Sequence, residues 1–264
     1  ANLKALKDIC EANGLLLLED ACQAIGGSYE GKPLGSYGDL GCFSFDYVKT
    51  ITCGEGGAVI TNNENYATNA DHYSDHGHDH VGKDRGAETH PFLGYNYRIS
   101  ELNAAVGLAQ INRLDDFLAI QKENYTVLRE AIETISGITM RTVPDGGEEN
   151  YSFLSFFMND EETARATQKE LVANGVDGCF YWFDNNWHYI KKWEHLKDLK
   201  SLGKLPEEVI KGLPDYNSQD FSQSDQWLGR NISVLIKLSW TDEEVNERAQ
   251  KMKQVLSGVL LDTK

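Results

Sequence analysis

Leu15-Leu16-Leu17-Leu18 is a short, continuous apolar run that ends at Glu19-Asp20. Ahead of it Leu3, Leu6, Ile9 and Cys10 recur at helical spacing, and Asn13-Gly14 supplies a helix stop. A strand apolar on both faces has to be covered on both sides, so helix, turn and such a strand predict an α/β chain with a parallel sheet. Sheets of that kind collect ligands beyond the carboxyl ends of their strands, where Asp20 falls. The run is far too short to cross a membrane, and no apolar run in the chain approaches that length.

A Gly-rich stretch follows (Gly26-Gly27, then Gly31 to Gly38), with an alternating strand Gly41-Cys42-Phe43-Ser44-Phe45 and a third apolar run Ala58 to Thr61 after Gly54-Glu55-Gly56-Gly57. From Ser100 the period becomes helical, with Ser100 as cap, and a second helix is expected over 116–135. A Gly/Pro-containing break at 137–147 follows, and the domain boundary is placed between 118 and 119. Residues 1–118 then form a ligand-binding domain. Residues 119–264 form a second, α+β domain, with strands at 152–158 and 232–238 and helices at 161–173 and 241–256.

The balance of 25 Lys plus Arg against 41 Asp plus Glu gives a formal charge of −16, which repels a phosphate backbone and argues against nucleic acid as a partner. Five scattered cysteines with no CxxC pair read as reduced thiols, and the first residues lack a secretory pattern; both point to the cytoplasm. The chain opens on Ala1 inside a helical pattern, which suggests a fragment.

Lys49 follows the alternating strand and precedes the Gly-rich turn, a place where its ammonium would be partly desolvated. Burial favours the neutral amine, which can attack a carbonyl. Taken alone, Lys49 also reads as a surface lysine after a strand. Its surroundings supply what pyridoxal phosphate (PLP) chemistry asks for: a carboxylate for the pyridine nitrogen in Asp20, and a hydroxyl for the phosphate in Ser44.

The stretch EDACQAIGGSYEGKPLGSYGDLGCFSFDYVKTITCGEGGAVIT, residues 19–61, resembles the core signature of the DegT/DnrJ/EryC1/StrS sugar aminotransferases. The later GYNYRISELNAAVGLAQINRLD, residues 94–115, resembles that family's second block. The resemblance implies a PLP-dependent transferase of fold type I, aspartate aminotransferase-like, with a mostly parallel large-domain sheet that is incomplete at the N-terminus. It implies that Lys49 anchors the cofactor and moves the proton, that Asp20 faces the pyridinium, that Gln23 contacts the ring and that Ser44 binds phosphate. Asn96 matches an asparagine that reaches the neighbouring subunit's cofactor phosphate, which implies a homodimer with shared active sites. Gln23 and Asn96 also read as ordinary turn or capping side chains. Relatives that eliminate water carry histidine in place of the lysine, whereas Lys49 is intact.

Within the family, residues 43–59, the loop 74–94 and LIKLSW at 235–240 resemble the transaminases that make 8-amino-3,8-dideoxy-manno-octulosonate. That implies transfer of an amino group from glutamate to 8-oxo-3-deoxy-manno-octulosonate for bacterial lipopolysaccharide. A nucleotide-linked keto sugar is the alternative. His72, His76, His78 and His80 with Asp75 and Asp79 also suit a metal-dependent hydrolase, but the segment has no helical ligand frame and occupies the family's substrate loop, so no metal is expected. His76, His78 and Arg85 are the expected donors to an acidic sugar. Among the aromatics at 180–193, most read as packed core or dimer surface, with Trp182 and His188 as candidate substrate contacts. A full family member also carries, before the position of Ala1, a Gly-Ser/Thr turn and an aromatic that stacks on the pyridine, so this chain alone is expected to bind PLP poorly.

Overall fold

The computed structural model describes residues 1–262. The chain divides into two compact units, Ala1–Ile120 with Val143–Asn150, and Gln121–Thr142 with Tyr151 onward.

In the first unit, helix α1 (Leu3–Ala12) starts at Asn2, whose side chain accepts the Ala5 N–H at 2.9 Å. Strand β1 (Leu18–Asp20) is followed by the short β2 (Ser28–Tyr29) and β3 (Lys32–Pro33), then β4 (Leu40–Ser44) and β5 (Gly57–Ile60). The main sheet has the order β1-β4-β5, with β1 parallel to β4 and β5 antiparallel to it. The apolar run at 15–18 does not become the buried central strand that the sequence suggests. Only Leu18 of the run lies within β1, and Leu15, Leu16 and Leu18 are 60%, 59% and 59% exposed, because β1 is an edge of the described sheet.

Helix α2 (Glu64–Ser74) is capped by Asn63, and α3 (Glu101–Ile111) by Ser100 as expected. Helix α4 (Leu114–Ile132) runs across the division between the units. The sequence division at 118/119 placed 143–150 in the second domain; in the structure those residues cluster with the first unit. The reason is local. Strand β7 (Gly147–Glu148) pairs with β2, and the Glu30 N–H donates to the Gly146 carbonyl at 2.7 Å.

The second unit is built on a four-stranded antiparallel sheet, order β6-β8-β10-β9: β6 (Thr139–Met140), β8 (Phe153–Phe157), β9 (Cys179–Phe180) and β10 (Asn231–Leu235). Leu154, Phe156, Ile232 and Val234 are fully buried in it, together with Leu128 and Ile132 of α4. Leu171 of α5 (Glu161–Ala173) and Met252 and Leu256 of the last helix (Asp242–Asp262) complete the core. No described helix is long and apolar enough to cross a membrane.

Candidate active site

Parallel pairing sets Asp20 at the end of β1 beside Cys42 of β4, and strand alternation places Ser44 on the same face as Cys42. The Asp20 carboxylate accepts the Cys22 N–H at 3.1 Å. Hydrogen bonds from the Cys22 side chain and backbone, helped by the Lys49 charge, hold the Asp20 carboxyl below its ordinary range against the effect of burial. Burial and the adjacent Asp20 push the Cys22 thiol up to about 11. An ionised carboxylate and a cation thus act on each other at the carboxyl end of β1.

Lys49 comes from the turn after β4 and keeps 10% of its side chain exposed, with Nζ 3.8 Å from Asp46 Oδ2. Buried Ile51 and Cys53 fix the turn, the Cys53 N–H donates to the Phe45 carbonyl at 2.9 Å, and Gly54 takes φ +87° where the chain reverses. The amide of Asn103, on the first turn of α3, closes it by donating to the Cys53 and Glu55 carbonyls at 2.8 and 3.0 Å. Ser44 is half-buried, and its Oγ accepts the Asp46 N–H at 3.4 Å. Gln23 is exposed, with its carbonyl taken by Asn150 Nδ2 at 2.9 Å.

Glu19 is a residue whose role the sequence reading missed. It is buried, and its carboxylate accepts the N–H groups of Gly35, Tyr37 and Gly38, which ties the Gly-rich turn to β1. The charge at a strand end was legible; that it points inward to three backbone donors was not.

A second group lies where residues 73–77 meet 94–98. Asp75 and Asn96 form an isolated antiparallel bridge, and Asp75 accepts from both Arg85 and Arg98 at 2.5 Å. Arg85 is therefore ion-paired with Asp75, although 55% of its side chain stays exposed. His78 lies 2.9 Å from Glu88, and His76 is exposed at a positive φ of 57°. Among the described residues no three His, Cys, Asp or Glu side chains gather as a metal site.

In the second unit, Trp182 stacks on Phe180 with ring centroids 4.8 Å apart and meets His188 edge-on at 5.3 Å. Tyr181 and Tyr189 of the same cluster are buried, and the Tyr181 hydroxyl donates to the Gly229 carbonyl at 2.8 Å. Those two pack the interior.

The donor set of the first unit fits PLP: a shielded amine for the aldehyde, an ionised carboxylate for the pyridinium, and a hydroxyl at a strand end for the phosphate. The profile of the DegT/DnrJ/EryC1/StrS aminotransferase family matches residues 1–253. The chain belongs to that family. Its relatives include GDP-perosamine synthase of Escherichia coli O157:H7, 34% identical over 173 residues, which are 66% of this chain and 44% of that protein. The lipopolysaccharide biosynthesis protein RfbH of Salmonella typhimurium is 31% identical over 193 residues, 65% of this chain and 44% of that protein. The chain therefore spans about half the length of these relatives.

Spr1654 of Streptococcus pneumoniae, named as a sugar aminotransferase, superposes in its PMP form with a TM-score of 0.75 at 21% identity, covering 100% of this chain and 67% of that one. Its PLP form gives 0.74 at 18% identity, covering 98% and 66%. The family fold is the α/β arrangement of type I PLP-dependent transferases, and this chain has it.

Proposed function

We propose that the chain carries the catalytic centre of a PLP-dependent aminotransferase that moves an amino group from glutamate to a keto sugar, and that the sugar is 8-oxo-3-deoxy-manno-octulosonate. The observation that carries this reading is the nearly buried Lys49 amine held in one electrostatic group with the ionised Asp20. When bound, PLP supplies a protonated heterocycle that draws electrons from a breaking C–H bond. Asp20 keeps the ring nitrogen protonated, and its depressed pKa means that the negative charge is present at any working pH. Lys49 Nζ takes the proton from the donor carbon and returns it on the acceptor side. Its small exposure excludes competing water.

Ser44 donates to the phosphate, Gln23 contacts the ring, and Asn96 supplies a phosphate donor to the second copy of a homodimer. His76, His78 and Arg85 receive the acidic sugar. The octulosonate reading rests on the likeness of the 43–59, 74–94 and 235–240 stretches. The five free cysteines support a cytoplasmic site of action.

The second reading keeps the chemistry and changes the acceptor to a nucleotide-linked keto sugar; the likeness to GDP-perosamine synthase favours it. Incubating the full chain with glutamate and each acceptor, and following 2-oxoglutarate release, separates the two. Release that depends on the octulosonate is expected. Repeated turnover only with the nucleotide sugar replaces the acceptor, and no release beyond one equivalent per site with either sugar contradicts the aminotransferase reading.

A further inference from the structure

Residues 74–77 and 94–97 meet backbone to backbone. The His76 N–H donates to the Tyr95 carbonyl and the Tyr97 N–H to the Ser74 carbonyl, both at 2.9 Å. Glycines allow this approach: a Cβ on Gly77 would lie 2.1 Å from the Phe92 carbonyl oxygen, and one on Gly94 would lie 2.3 Å from the Gly77 nitrogen. Asp75 and Asn96 are thereby set opposite each other.

Asp75 is 6% exposed, and a carboxylate so shielded needs partners. Burial pushes its carboxyl up, but the guanidinium groups of Arg85 and Arg98 override that and hold it below the usual range. Both bind the same oxygen, Oδ1, while Oδ2 lies 3.9 Å from His80 Nε2. Arg98 then spends its Nε on Asn96 Oδ1 at 3.1 Å. An amide whose oxygen is engaged presents its two N–H donors outward.

We propose that Asp75 is a positioning residue: through Arg98 it locks the Asn96 amide with its NH2 group outward, as a donor aimed at the cofactor's phosphate. This rests on the PLP reading above. Without Arg98 the amide is free to turn over and offer its oxygen, which a phosphate repels. The lock, more than the presence of an asparagine, then decides selectivity for the phosphorylated cofactor.

The test is the affinity of the full chain for PLP and for pyridoxal, which lacks the phosphate, in wild type, Asn96→Ala, Arg98→Lys, Asp75→Asn and the Asn96→Ala/Arg98→Lys double variant. Arg98→Lys keeps the positive charge beside Asp75 and loses the Nε donor, so it separates orientation from folding. Each single variant is expected to weaken PLP binding about tenfold or more while leaving pyridoxal binding unchanged, and the double variant is expected to be no worse than Asn96→Ala. Equal losses for both ligands, a normal PLP-to-pyridoxal ratio in Arg98→Lys, or effects that multiply in the double variant would each overturn the proposal. A wild type that binds PLP without linking it to Lys49 overturns the cofactor reading itself, which is a different result from all of these.

Discussion

Lys49 has 10% of its side chain exposed, Asp46 Oδ2 lies 3.8 Å from its Nζ, and its charge acts on Asp20. Lys49→Ala is expected to lower kcat at least about a thousandfold, measured as 2-oxoglutarate formation, with the fold kept by circular dichroism. Asp20 has its pKa depressed, so its contribution is complete above its ordinary value of 3.8 and is lost only as pH falls through the still lower folded value. A rate profile between about pH 5 and 9 therefore carries no Asp20 inflection; one that disappears in Asp20→Asn would contradict this. Cys22, pushed up to about 11 by burial and Asp20, should be alkylated slowly at neutral pH and quickly only as the pH nears 11. Arg85→Ala should raise KM for the acidic sugar about tenfold and change kcat little, because the guanidinium keeps exposed donors beside its bond to Asp75. Lys49, Asp20 and Ser44 could be proposed from the sequence because they sit within thirty residues and each has the functional group that its proposed role demands. The roles of Glu19 and Asp75 were not, since their partners lie 10 to 23 residues away and meet them only after the chain has turned.

At the scale of elements, sequence period served where one face is buried. The helix expected over 161–173 is α5, the strand expected at 152–158 contains β8, and the one expected at 232–238 overlaps β10, which starts one residue earlier. Neither α2 nor α3 has a buried residue; α3 was nonetheless legible from its apolar period after Ser100, and α2 was not. The apolar run at 15–18 misled: its composition is that of a covered strand, but β1 has a described neighbour on one side only. Strand β10 lies between β8 and β9, with Ile232 and Val234 at 0% exposure. Ile232→Ala should cost about 2–5 kcal/mol in denaturant unfolding, a cavity cost that an edge strand would not show. A loss below about 1 kcal/mol would mean that β10 is not the centre of that core.

At the scale of the molecule, two units share one chain, and each candidate group for the cofactor comes from the first: Asp20, Gln23, Ser44, Lys49 and Asn96. The substrate candidates divide, with His76, His78 and Arg85 in the first unit and Trp182 and His188 in the second. The family and its type I fold were legible from the motifs at 19–61 and 94–115, while the sugar depends on side chains whose spacing in the sequence does not report their grouping. If Asn96 serves the other copy of a dimer, mixing Lys49→Ala and Asn96→Ala chains at a PLP concentration too low to load Asn96→Ala alone should restore about a quarter of wild-type activity, since half of the dimers are hybrids and each has one intact site of two. No recovery would place Asn96 and Lys49 in the same chain's site. The account as a whole stands on Lys49 as the residue that holds PLP. Borohydride reduction of the PLP-treated full chain, followed by peptide mapping, tests it most directly: a pyridoxyl group on the peptide containing Lys49 is expected. A chain that binds PLP with the label on another lysine, or with none, would contradict it.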